Sequence, residues 1–316
     1  MTETTKIIFE KHEVRKTKKQ KAAFIDFTRS VCEQNGYAFS TEKGNFGAKN
    51  IVIGDPKTAK IIYTAHYDTC ARTPFPNFIT PKNFLIYFLY QLIVSLVFMI
   101  APVGLATYLW SLAIDAVNVS EDIRPLVMLI GFYAALFGIT LLLMMGPANP
   151  HTANDNTSGV TTLFDIMTSL PDEKKEEACF IFFDLEEMGL RGSKGFAARH
   201  KNEMKTKLLV NFDCVSDGDH ILFALKKGAK EYRDLFEKAF PTTETMHTEV
   251  VTRGVFYPSD QANFPMGVGV AALNKSAKTG ILYMDRIHTA RDTIYKEDNI
   301  SYLVNGAIAL LDLVET

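Results

Sequence analysis

Two long runs without a charged residue, set inside an otherwise polar chain, constrain this sequence more than any other feature. Phe84 to Ile114 contains no Asp, Glu, Lys or Arg, and so exceeds the ~20 apolar residues that carry a helix across a bilayer. A second uncharged run extends from Pro125 to Pro150, with its apolar part ending near Gly146. The connection between them, DAVNVSEDIR, is short and polar, so two spans would return the chain to the side it left. Buried core helices or an apolar dimer face would be the competing reading, but runs of about 10–14 residues suit those better. The expectation is a transmembrane helical hairpin over 84–146 that contacts the lipid bilayer. It is inserted into a discontinuous domain made of 1–83 and 147–316.

Outside the hairpin the 316-residue chain has a formal net charge of −2, which supplies no basic field for nucleic acid. Cys32, Cys70, Cys179 and Cys214 lie far apart with no CxxC pair, so no disulfide framework is indicated and a reducing compartment fits. The opening MTETTKIIFEKHEVRKTKKQ carries charges throughout and lacks the apolar core of a secretory signal. Its basic residues Lys6, Lys11, Arg15, Lys16, Lys18 and Lys19, with Lys21, contrast with a hairpin loop that holds Asp115, Glu121, Asp122 and Arg124. That asymmetry places the chain in the cytoplasmic membrane with its main domain on the cytoplasmic side.

The polar parts read as alternating strands and helices. An amphipathic helix is expected from Val14 to Gln34, where Ala22, Ala23, Phe24, Phe27 and Val31 recur at helical spacing. Strands are expected at Asn50 to Ile53, Lys60 to Ala65, Glu177 to Asp184, Lys207 to Asp213, His220 to Leu225, Val268 to Leu273 and Gly280 to Met284. Helices are expected at Ser158 to Leu170, Ser193 to His200 and Ile300 to Val314. This alternation implies an α/β fold with helices on both faces of the sheet.

Acidic residues and histidines gather at the expected strand ends, where open α/β sheets place their sites. His66 and Asp68 follow one strand, Asp155 sits in NDNTSG, Glu186 and Glu187 follow FIFFDL, Asp213 ends LLVNFD, and His288 follows ILYMDRI. Singly these are weak signals, since a strand-end Asp often caps a helix and a lone His is commonly structural. Together they supply two histidines, three carboxylates and a spare Glu. Such a set suits two zinc ions, with one carboxylate shared and one left to move protons.

The motifs HYD, NDNTSG, EEMGLRGS, NFD, SDQANF and IHTARDT, in this order, resemble the bacterial leucyl aminopeptidase and aminopeptidase Y family, metallopeptidase family twenty-eight. The resemblance covers roughly 45–84 and 150–316. It implies a three-layer α/β/α zinc-exopeptidase domain around a mixed, mainly parallel sheet, with a strained peptide at Asp155-Asn156. It makes His66, Asp155 and Asp213 ligands of one Zn2+, and Asp155, Glu187 and His288 ligands of a second, so that Asp155 bridges. Glu186 would be the general base for a metal-activated water, and Asp68 would orient His66. Tyr257 would supply a phenol to the reacting carbonyl, and Asp260 would lie behind His288 or near the substrate. Gln261 stands where the family often has His, which leaves the specificity pocket open. The activity implied is hydrolysis of N-terminal residues from peptides with a free N-terminus. A single-zinc glutaminyl-cyclase-like enzyme and a non-catalytic membrane binding protein are the alternatives; the complete ligand set favours two metals. Cys70 and His151 read as a small buried thiol and a loop histidine, and GVGVAA as a strand start rather than a dinucleotide loop. Asp155 follows Gly146 by nine residues. It therefore cannot lie more than about 32 Å from the end of the second apolar run, at ~3.6 Å per residue.

Overall fold

The computed structural model describes residues 1–314. Its strands are β1 (Phe39–Lys43), β2 (Lys49–Ile53), β3 (Ile61–His66), β4 (Ala178–Phe183), β5 (Leu208–Phe212), β6 (His220–Leu225), β7 (His247–Val251), β8 (Gly267–Lys275) and β9 (Leu282–Tyr283). They form one sheet of order β1-β2-β4-β3-β5-β8-β6-β7, with β9 paired to β8. The centre, β4-β3-β5-β8, is parallel, and antiparallel pairings with β2 and β6 close it on either side.

Every residue of β3, β4 and β5 is buried, as expected for strands covered on both faces. Because successive side chains point to opposite faces, Tyr63, Phe180, Phe182, Val210 and Phe212 pack with Phe24, Phe164 and Leu303 of the helices Lys18–Gln34, Gly159–Ser169 and Glu297–Leu313. Their neighbours Ile62, Ile181, Phe183 and Leu209 pack on the other face with Phe196 of the helix Arg191–Arg199. The result is the expected three-layer α/β/α arrangement.

The expected helix from Val14 begins only at Lys18. Thr17 caps it, exchanging hydrogen bonds with Gln20, and a separate helix, Glu3–Lys11, precedes it. The strand β1, FSTEK, was not anticipated, since an edge strand with a largely polar surface carries no alternating apolar signal.

The apolar runs form two helices, Phe84–Ala116 of 33 residues and Arg124–Met145 of 22, each long and apolar enough to cross a membrane. They are not core helices. No residue of the second is buried, and in the first only Val103 and Ile114 are. The first helix has one wide turn at Leu96–Ile100, just before Pro102, whose ring would clash with the carbonyl one turn back and which has no N–H to donate. Trp110 closes the pair by donating its indole N–H to the Val127 carbonyl at 2.9 Å. Opposite it, a Cβ on Gly131 would stand 2.1 Å from the Trp110 ring, so only glycine fits there.

Candidate metal centre

The parallel strands β3, β4 and β5 deliver His66, the Asp184–Glu187 turn and Asp213 to the same end of the sheet. Asn156 ties Asp155 into this group. Its amide donates to the Phe212 carbonyl at 3.0 Å and accepts from the Gly159 and Cys214 N–H groups at 3.0 and 3.2 Å. Gly159 permits the approach, because a Cβ there would meet the Phe212 carbonyl oxygen at 2.2 Å. The Asp155–Asn156 peptide bond is cis. Leu185, Cys214 and His288, each a donor residue or close to one in sequence, occupy the left-handed region, with φ of 55°, 57° and 64°. Such turns re-aim side chains and concentrate at functional sites.

Five of the residues expected as ligands come together as two sets that share one carboxylate. His66 Nε2 lies 3.3 Å from Asp155 Oδ1 and 3.4 Å from Asp213 Oδ1. His288 Nε2 lies 3.1 Å from Asp155 Oδ2 and 3.3 Å from Glu187 Oε2. Tetrahedral zinc with ~2.0–2.1 Å bonds separates neighbouring ligand atoms by about 3.3 Å, so the donor atoms already have the spacing an ion would impose. Glu187 Oε1 is buried without a hydrogen-bond partner. Asp68, Asp155, Asp213 and Asp260 are buried, and with Glu186 and Glu187 beside them they form a concentration of negative charge that calls for cations.

Burial and the clustered charges pull the titratable groups of the site in opposing directions. Burial lowers the affinity of His66 for a proton, but hydrogen bonds to Asp155, Asp213 and Asp68 outweigh it and raise its pKa well above the usual value. His288 is likewise pushed down by burial and up by Glu187 and Asp155, to a net value of about 9. Burial, with the charge of Asp155 adding, raises Glu187 to about 8. Burial also drives Glu186 well above the ordinary carboxylate range, with Glu187, Asp213 and Asp260 adding to it against the pull of His66.

Asp68 does two tasks. Its main-chain carbonyl accepts from His66 Nδ1 at 3.1 Å, which leaves Nε2 free to bind a metal, while its carboxylate is 3.7 Å from the same nitrogen. That carboxylate accepts the Glu186 and Glu187 N–H groups at 3.0 and 3.3 Å. The closer contact to His66 is thus through backbone, and the side chain, besides its charge beside His66, positions the glutamate pair. The phenol of Tyr257 is buried and donates to the Asp213 carbonyl oxygen at 2.8 Å, so it braces the loop that carries Asp213. Asp260 is buried among His66, Ser193, Asp68 and Asp213, on the His66 side, and burial raises it to about 7. Cys70 is buried with its thiol among the donor atoms of Asp155, Glu187 and His288. His151 stays outside both groups, 3.8 Å from Glu13.

Three contributors were not anticipated. The Asp292 carboxylate accepts the N–H groups of Asn154 and Asp155 at 2.8 and 3.0 Å, holding Asp155 from behind. Its place within IHTARDT was the available signal. Lys16 donates to the Met144 carbonyl at 3.1 Å, so the last turn of the second apolar helix is tied to the loop beside the site. Arg15 is fully buried. Its guanidinium donates to the Tyr67 carbonyl at 2.6 Å, the His12 carbonyl at 2.6 Å, the Glu13 carbonyl at 3.0 Å and Thr157 Oγ1 at 3.2 Å. Burial lowers its pKa to about 10 against the charges of Asp68, Glu13 and Asp155. Arg15→Met should destabilise the protein by ~3–5 kcal/mol, because it strands these carbonyls and unbalances the carboxylates. Arg15→Lys should restore little, since an ammonium cannot reproduce the fork. Thermal unfolding in detergent checks this, and an unchanged midpoint for Arg15→Met would contradict the role.

The model of peptidase family M28 matches residues 137–311, more than half of the chain. The chain belongs to peptidase family M28. It is accordingly a metallopeptidase, and the matched span holds Asp155, Glu186, Glu187, Asp213 and His288, while β3 supplies His66. The solved structure of the Legionella pneumophila LapA aminopeptidase shares 14% identity with this M28 peptidase at a TM-score of 0.57, over 99% of this chain and 70% of that one. A leucine aminopeptidase precursor from Bacteroides thetaiotaomicron is 14% identical at 0.56, over 98% and 94%. Porphyromonas gingivalis glutaminyl cyclase is 15% identical at 0.54, over 98% and 96%. At these identities the likeness establishes the shared fold. No match was found among curated protein sequences.

Proposed function

We propose that this M28 peptidase is a membrane-anchored dizinc aminopeptidase. The observation that carries the reading is the placement of Asp155, whose two oxygens face two different histidines at 3.3 and 3.1 Å. His66, Asp155 and Asp213 would hold one Zn2+, and Asp155, Glu187 and His288 the other. When bound, such ions acidify a water molecule and polarise the scissile carbonyl. Glu186 takes the proton from the attacking water and returns it to the leaving amine. Burial pushes its pKa up, the direction that favours a carboxyl able to accept a proton. Asp68 fixes the glutamate backbone during the exchange, and Tyr257 keeps the Asp213 loop in place.

Metal analysis of the purified full-length protein, paired with hydrolysis of unblocked and N-acetylated peptides, tests the reading. Near two zinc per chain and cleavage confined to free N-termini are expected. One zinc with cyclisation of N-terminal glutamine would transfer the protein to the cyclase reading, and loss of both metals and activity to a binding role.

The apolar helices support insertion as a hairpin in the cytoplasmic membrane, with the peptidase domain on the basic, cytoplasmic side. Peptides already bound at the bilayer surface, with apolar N-terminal residues, then form the favoured substrate class, because the surface concentrates them beside the metals. A single cysteine at the exposed Glu121 in the connecting loop is expected to react with an impermeant thiol reagent on intact cells. Glu121 is preferable to Asn118, whose φ of 49° suits asparagine, and the four native cysteines are buried. Labelling only after lysis would reverse the orientation.

A further inference from the structure

The two apolar helices differ in length by more than a bilayer needs. At 1.5 Å per residue the first is about 50 Å long and the second about 33 Å, against a hydrocarbon core of about 30 Å. The excess lies at the start of the first helix, before its wide turn at Leu96–Ile100. There one side of the helix packs on the peptidase domain. Tyr90 donates its hydroxyl hydrogen to the Pro76 carbonyl at 2.6 Å, and its ring lies 5.2 Å from Phe78. Phe75 meets Phe98 at 4.3 Å, and Phe84 meets Phe256 at 5.4 Å. The other side leaves Leu85, Phe88, Leu92 and Ile93 exposed. An apolar face continuous with a membrane span, and backed by the domain, belongs in the interfacial layer of the same membrane.

Segment 73–79, which backs this face, also braces the loop of His288. The Thr73 N–H donates to the His288 carbonyl at 2.9 Å, its hydroxyl donates to the Phe75 carbonyl and lies 3.2 Å from the same His288 oxygen, and the Asn77 N–H donates to the Ile287 carbonyl at 3.2 Å. Between these two segments and the end of the second helix opens a cleft of about 630 Å³, lined by Arg72, Pro76, Pro147, Thr289 and Arg291 among others. Pro147 follows the helix end at Met145 by two residues, so the cavity sits at the level where the chain leaves the apolar layer. Among the described residues neither arginine forms an ion pair. Arg291 donates only to the Asp285 carbonyl, and Arg72 makes no side-chain hydrogen bond.

Resting on the membrane reading of the hairpin, we infer that this cavity binds the anionic headgroup of a membrane phospholipid, with its phosphate between Arg72 and Arg291 and its acyl chains along the exposed face of residues 84–95. Two guanidinium groups without ion pairs among the described residues, in a lining that includes Pro74, Pro76 and Pro147, match a phosphate diester joined to apolar chains. The bound lipid would secure the 73–79 segment, and with it the His288 loop, against the membrane surface.

The test reconstitutes the full-length protein in nanodiscs of phosphatidylcholine with a minor fraction of phosphatidylglycerol. Lipids retained per chain are then counted by native mass spectrometry. Phosphatidylglycerol should be retained over phosphatidylcholine by roughly tenfold or more, given the attraction expected for each basic residue near a headgroup. The double variant Arg72→Gln/Arg291→Gln should fall to parity while keeping the wild-type melting temperature, and Arg72→Lys/Arg291→Lys should keep part of the preference. Parity in the wild type, or an undiminished preference in the glutamine variant, overturns the inference. Loss of the preference on adding free glycerol phosphate would assign the cavity to a soluble phosphate and overturn it as well. Extraction by alkaline carbonate separates the two levels: release of the chain sinks the membrane reading itself, whereas a retained chain without lipid preference sinks only the cavity.

Discussion

Glu186→Gln is expected to lower turnover by at least ~10²-fold, the usual contribution of general acid–base catalysis, while the protein keeps its full metal content. Glu186 has a carboxylate oxygen within 4.8 Å of His66 and Glu187 but forms no ion pair with either histidine, and its N–H anchors to Asp68 through backbone that the substitution leaves unchanged. The amide cannot take a proton from water, so chemistry fails and binding of metal does not. Glu187→Gln provides the contrast, because Glu187 Oε2 stands 3.3 Å from His288 Nε2 as a member of the second set. It should lose metal first and activity as a consequence. Rates and zinc content measured on both variants separate the adjacent residues, and near-wild-type turnover in Glu186→Gln would remove its assignment.

The second large effect belongs to Asp155. Asp155→Asn removes the negative charge and one of the two carboxylate oxygens that face His66 and His288, so both sets lose a member at once. Activity should drop by at least ~10³-fold, in line with the several kcal/mol that metal ions contribute to such reactions. Zinc should fall towards zero per chain. Asp213→Asn, which belongs to the His66 set alone, should lose one ion and retain the other. A protein with Asp155→Asn that still carried two zinc ions would show that the carboxylate is not shared.

The candidate donor residues were legible because they stand at or near the ends of strands that are continuous apolar runs, such as IIYTAH and ACFIFF, and because their motifs follow one another in a specific order. Period and burial agree there, and the sheet brings the strand ends together without further instruction. What stayed hidden depends on contacts distant in sequence. Arg15 lies in a basic stretch that reads as a solvated helix face, yet it is buried by four acceptors drawn from residues 12–13, 67 and 157. Asp292 stood within a recognised motif, but its work on the Asn154 and Asp155 amides exists only once residues 154 and 292 meet. The division of Asp68 into a carbonyl that orients His66 and a carboxylate that holds Glu186 has no sequence signature at all. Pro102 marked no break, since the helix absorbs it with one wide turn.

The position of β3 in the sheet also bears on how this enzyme is made. Its hydrogen-bonded neighbours, β4 and β5, are both encoded after the apolar hairpin, and so are all the metal-set residues except His66. While the ribosome extends the chain at about 5–20 residues per second, β3 waits unpaired until the hairpin has emerged and the following strands arrive. Synthesis therefore imposes an order in which the apolar hairpin is complete before the sheet can close and the proteolytic centre is assembled. A newborn chain thus holds no assembled proteolytic centre until the strands encoded after the hairpin have arrived, and that delay lies in the order of the gene itself.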